Sequence, residues 1–143
     1  MKKIFFLLAL GICGAASAQM PAAFFSGIVM KSYLEHETSS FEVLSEARRT
    51  LKPDGKLIIK VPNYASLNRR LRGSNWPGYH FPDHVSYFDP TTLARLVLRA
   101  GFQVERNNWI DHFPLNDNLY LMARPREQVA VSSTSSAVLR KSA

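Results

Sequence analysis

The sequence predicts an α/β fold with a parallel sheet core and an antiparallel C-terminal hairpin. Three observations carry that reading. Phe24 to Met30 and Leu57 to Val61 are short apolar runs rich in β-branched residues, as in strands covered on both faces. Between them Phe41, Leu44, Ala47 and Leu51 recur at helical spacing, which makes the whole a β-α-β crossover. Further on, Phe102 to Arg106 and Asn118 to Ala123 are strand-like runs placed to pair antiparallel at the sheet edge.

Each element carries its own punctuation. Ser39, with Glu42 three residues later, predicts a capping box at the first helix. Arg48, Arg49 and Lys52 suit the negative pole at its end. Pro53-Asp54-Gly55 then stops the helix and turns the chain. Pro62 ends the following strand, because proline has no N–H for the ladder. Residues 63–88 show no clear periodicity, yet Trp76, Tyr79, Phe81, Tyr87 and Phe88 argue against disorder. A loop that long in a small domain is usually functional. Asp89-Pro90 starts a second helix with an apolar face of Leu93, Leu96, Val97 and Ala100, and Gly101 stops it.

The chain has 143 residues, which suits one small domain. Its net charge of +7 favours solubility and weak attraction to anions. The basic residues form no nucleic-acid motif, so no nucleic-acid partner is expected. Arg69, Arg70 and Arg72 are the one dense cluster, read either as a solvated face or as a clamp for an anionic group. Cys13 is the single cysteine, so neither an intramolecular disulfide nor a cysteine-based metal site is available. His80 and His84 have a His-x3-His spacing, but no cysteine or helix supports them, and no metal is expected.

The N-terminus reads differently. Lys2-Lys3, the apolar run Ile4 to Cys13 and the small residues Ala16-Ser17-Ala18 follow the pattern of a secretory signal peptide. The domain plan is therefore a signal-like segment at 1–18, a folded domain at 19–124 and a disordered polar tail at 125–143. Leu10-Gly11-Ile12-Cys13-Gly14 also carries a faint glycine-loop pattern, without an acidic residue before it.

With these elements placed, residues 21–124 resemble the C-terminal half of a class I S-adenosylmethionine-dependent methyltransferase domain. The pieces that match are Phe25 to Met30, Leu34-Glu35-His36, Arg49 to Gly55 and Val61-Pro62-Asn63, then Pro82-Asp83-His84, Phe88-Asp89-Pro90 and Ala100-Gly101-Phe102. Each is weak alone, and their order and distances make the resemblance. It implies a partial Rossmann-like methyltransferase sheet, S-adenosylmethionine as cofactor, and a small molecule or saccharide as acceptor. The glycine-rich loop and the acidic residue that holds the ribose are missing. The expectation is a truncated domain, inactive alone unless self-association or a second chain supplies the other half, with the strand near Gly27 left unpaired. An exported or partner-dependent binding module is the alternative. Methyl transfer implies the cytoplasm, whereas residues 1–18 imply export or membrane association.

The resemblance also assigns residues. Met30, Lys31 and Ser32 end a central strand beside the expected cofactor. Glu35 and His36 are the catalytic candidates, His36 as a general base near neutrality, or both as fixings for the next helix. Asn63, Tyr79, His80, His84 and Arg69 are the substrate-binding candidates. Asn63 serves equally well in an Asx turn. Trp76, Tyr79 and Tyr87 either stack on a ring substrate or pack a lid onto the domain.

Overall fold

The structure is a computed structural model, and it describes residues 5–6, 22–105 and 116–126. Its elements in chain order are β1 (Phe5–Phe6), β2 (Phe25–Lys31), α1 (Ser40–Thr50), β3 (Leu51–Pro62), α2 (Leu67–Arg72), α3 (Pro90–Arg99), β4 (Phe102–Val104) and β5 (Asn118–Pro125). Short 3-10 turns lie at Leu34–His36 and Gly73–Asn75. The strands form one sheet in the order β1-β2-β3-β5-β4. The first two pairings are parallel. β5 runs antiparallel to both β3 and β4. The parallel core and antiparallel C-terminal pair are as expected, and β5 sits inside the sheet with β4 at the edge.

The core follows from period-2 alternation. Ile28, Leu57 and Ala123 form one cross-strand row, and Met30, Ile59 and Leu121 the next. These side chains are buried together with Leu44 and Ala47 of α1 and Leu93 and Val97 of α3. The rows are therefore the helix-covered face. The opposite face is more open: Tyr120 and Met122 are 37% and 39% exposed. The expectation of strands buried on both faces is met on one face among the described residues.

Three local readings change. Pro53-Asp54-Gly55 does not separate helix from strand. Leu51 pairs with Phe25 and Lys56 with Gly27, so residues 52–55 bulge out opposite Ser26 within β3. Gly55 is needed there, since a Cβ would stand 2.7 Å from Leu51 Cγ. The Ser39 capping box is absent. Ser39 makes no side-chain cap, and Ser40 Oγ instead donates to the carbonyls of Leu34 and Glu37. At α3 the box does form, between Asp89 and Thr92. Finally, the stretch read as aperiodic contains α2, capped by Ser66, whose Oγ accepts from Arg69 N at 3.2 Å.

β2 is not left unpaired. Phe5 and Phe6 lie parallel to Ile28 and Val29. A parallel neighbour needs a crossover of about a dozen residues or more, and residues 7–24 provide that length. The faint glycine pattern at 10–14 follows this strand in sequence, but it lies outside the described residues. So do the rest of the signal-like segment and the polar tail from 127 on. No described helix is long and apolar enough to cross a membrane.

Candidate functional site

In open α/β sheets, ligands bind at the carboxyl ends of the strands. Here those ends are Lys31-Ser32 of β2 and Pro62-Asn63 of β3. Ser32 turns the chain outward at φ +50° while its N–H still donates to Lys60 O at 2.9 Å. Met30 is buried in the core, whereas Lys31 and Ser32 are exposed. The side chain of Met30 also lines a cavity of about 430 Å³ between β2 and α1, with Gly27, Ile28, Val43 and Ala47. Its lining runs from Phe25 and Thr50 to Tyr33, the residue before the Leu34–His36 turn, and includes none of Glu35, His36 or His84.

The Leu34–His36 turn follows directly. Glu35 is 1% exposed, and its Oε2 has no hydrogen-bond partner. Its backbone carbonyl accepts from Val85 and Ser86 N–H at 2.8 and 3.0 Å, which ties the turn to the far end of the long loop. His36 Nδ1 lies 2.9 Å from Asp83 O, and His84 Nδ1 lies 2.9 Å from Gly78 O. A carbonyl only accepts, so both Nδ1 atoms carry hydrogen, and in the neutral ring that leaves the lone pair on Nε2. Beside the turn, the Tyr33 phenol is pushed up to about 12 by burial, reinforced by its hydrogen bond and proximity to Glu37.

From His36 a path of ring contacts crosses the loop. His36 meets His84 at 4.7 Å between centroids, and His84 meets His80 at 5.3 Å and Tyr87 at 6.4 Å. Tyr87 meets Tyr79 at 5.5 Å, and Tyr79 meets Trp76 at 5.2 Å and Tyr64 at 6.3 Å. The Arg69 guanidinium lies 4.1 Å from the Tyr64 ring centroid. A hydrogen bond with Arg69, helped by one with Tyr64, holds the Tyr79 phenol below its ordinary value. The structure thus brings His36, His80, His84, Tyr79 and Arg69 into one wall. Asn63 stands apart from it. The residue is buried, its Oδ1 accepts from Ala65 N at 3.0 Å, and its Nδ2 donates to Asn116 O at 3.4 Å. The first is the bond of an Asx turn, and the second ties Asn63 to the segment before β5. Arg70 and Arg72 are exposed.

Sequence reasoning missed the residue that fastens this loop. Asp117 accepts from Trp76 Nε1 at 3.0 Å, from Ser66 Oγ at 2.8 Å and from Asn68 Nδ2. Burial pushes its carboxyl up, but the bonds from Trp76, Asn68 and Ser66 outweigh burial and hold it below the usual range. Trp76 is 2% exposed and is the loop's apolar anchor.

A mixed sheet of this order, with a long loop tied to the turn after β2, is the Rossmann-like fold of class I S-adenosylmethionine-dependent methyltransferases. The profile of the methyltransferase domain family matches residues 13–107, and the chain belongs to that family. Comparison with curated protein sequences returns no match. Among solved structures, the Haloferax volcanii methyltransferase in complex with its Trm112 activator has a TM-score of 0.59 at 11% identity, over 76% of this chain and 57% of that one. An S-adenosylmethionine-dependent methyltransferase of Thermotoga maritima has a TM-score of 0.57 at 17% identity, over 76% and 59%. The Burkholderia thailandensis 1,6-didemethyltoxoflavin-N1-methyltransferase, solved with S-adenosylhomocysteine and 1,6-didemethyltoxoflavin, has a TM-score of 0.50 at 19% identity, over 74% and 46%. At these identities the likeness is one of fold. The chain spans rather more than half the length of the first two proteins.

Proposed function

We propose that this chain is the acceptor-side module of an S-adenosylmethionine-dependent methyltransferase acting on a small molecule or saccharide. The observation that carries the reading is the wall of His36, His84, Tyr87, Tyr79 and Arg69 beside the carboxyl end of β2. Aromatic faces with a guanidinium at one end suit a ring-shaped acceptor bearing polar groups. When bound, the cofactor supplies an electrophilic methyl group. The chain's task is then to orient the acceptor in line with it.

Lys31 and Ser32 fit one flank of such a cofactor, since both are exposed at the end of β2. The other flank falls past the end of β1, outside the described residues. His36 is held by the Asp83 carbonyl in the tautomer that leaves Nε2 able to accept an acceptor proton. A working enzyme of this kind belongs in the cytoplasm, where its cofactor is made. A second chain or a second copy that completes the cofactor side is part of the proposal.

Isothermal titration of the tag-free chain with S-adenosylmethionine and S-adenosylhomocysteine tests the reading. Binding of either in the micromolar range supports it. A folded chain that binds neither, alone or at concentrations where it self-associates, removes the enzymatic reading and leaves a binding module built on the same fold.

A further inference from the structure

We infer that Glu35, His36 and His84 form a binding site for one divalent transition-metal cation of the Zn²⁺ kind. One ligating atom from each residue lies within 4.8 Å of the others. Donors that share a zinc ion at about 2.1 Å stand roughly 3 to 4 Å apart, so a small side-chain closure completes the set. The second observation is the carboxylate itself. Glu35 is buried, yet Oε2 has no partner, and a buried unpaired polar atom calls for a water or an ion. The third is the orientation of both imidazoles. Each Nδ1–H is spent on a backbone carbonyl, Asp83 for His36 and Gly78 for His84. Outer hydrogen bonds of this kind fix the tautomer of metal-binding histidines and present Nε2 to the ion.

The donor set decides the kind of ion. Two imidazoles and one carboxylate suit zinc, cobalt or ferrous iron, whereas magnesium and calcium favour all-oxygen shells. His80 stays outside the set, exposed, with its ring tilted 46° to that of His84 at 5.3 Å between centroids. The His-x3-His spacing therefore contributes one ligand only, and the other two come from the Leu34–His36 turn. Bound metal would clamp that turn to the long loop across 48 positions of sequence, from His36 to His84. Three protein ligands leave an open position. Resting on the methyl-transfer reading, that position takes an acceptor oxygen and acidifies it. A metal there also occupies the Nε2 that would otherwise make His36 a base.

The test titrates the tag-free chain with Co²⁺, followed by visible absorption, with Zn²⁺ as competitor. One equivalent is expected, at micromolar affinity or tighter. Asparagine is the informative replacement, because its amide N–H stands in for Nδ1–H while Nε2 is lost. His36→Asn and His84→Asn should each weaken binding at least about tenfold, and His80→Asn should not. A folded wild-type chain that binds no stoichiometric metal overturns the site, as does loss confined to His80→Asn. Should the His36 or His84 variants fail to fold, ¹⁵N spectra of the wild-type histidines decide. Zn²⁺ must shift Nε2 of His36 and His84, and shifts confined to His80 or His112 overturn the site. S-adenosylmethionine titrated into the same sample separates the two proposals. Metal binding without cofactor binding keeps the site and sinks the methyl-transfer reading, and the reverse outcome does the opposite.

Discussion

Gly78 is where the long loop meets its own anchor. A Cβ there would stand 2.1 Å from Cη2 of the buried Trp76 ring, which is rigid and has nowhere to go. Gly78→Ala is expected to destabilise the fold by about 1–3 kcal/mol, read as a lower thermal midpoint. Asp117→Ala acts on the same anchor from below. It strands the indole N–H of Trp76 and the hydroxyl of Ser66, at a cost of about 1–3 kcal/mol. In a Trp109→Phe background the emission of Trp76 should shift to the red as the ring becomes wetter; unchanged emission would show that the loop is held elsewhere. Neither contact was legible in the sequence. Asp117 lies 41 positions from Trp76 and 51 from Ser66, and no local pattern pairs residues at such distances. Leu34-Glu35-His36 and Asp83-His84 were visible as separate motifs, whereas their convergence depends on the loop's path. Met30 was rightly placed near the end of its strand, but strand alternation sends its side chain into the core.

The two main helices show when punctuation can be trusted. At α3 every signal is local: Asp89 caps, Pro90 fits the first position, and Gly101 turns the chain at φ +84°. Asp89→Ala is expected to cost about 1 kcal/mol. At α1 the same capping grammar misleads. Ser39 sits at φ −113°, ψ 49° and caps nothing, while Ser40 anchors the turn before it. Ser39→Ala should therefore stay within about 0.5 kcal/mol of wild type. Chemical denaturation of the two variants side by side checks the contrast. The short helix α2 was illegible for a different reason. It has six residues and buries none of them, so no apolar stripe marks it. Its capping serine is held from below by Asp117. The β3 bulge was hidden likewise, because Pro-Asp-Gly reads as a turn whether it joins two elements or loops out of one.

At the scale of the whole molecule, acid should loosen the fold through two carboxylates. Asp89 is held below its ordinary value by the backbone N–H of Thr92 above all, and Asp117 by its three donors against the opposing effect of burial. Because the folded pKa of each lies below the unfolded one, their contribution is complete above the unfolded value, about 4. It drains away as pH falls toward the folded values. Stability should be flat from pH 7 down to about 5 as far as these groups are concerned, then decline, and Asp117→Asn should flatten part of that decline. Equilibrium urea unfolding across that range measures it. The sheet order has a consequence for synthesis. β4 leaves the ribosome before β5, yet β5 is the strand it pairs with and the strand that covers the second edge of β3. Until β5 emerges, a nascent chain holds a helix-backed β3 with one side of its backbone unsatisfied and a β4 with no ladder to join. The last described strand is the keystone, and a chain stalled before Asn118 should be the form that chaperones hold longest.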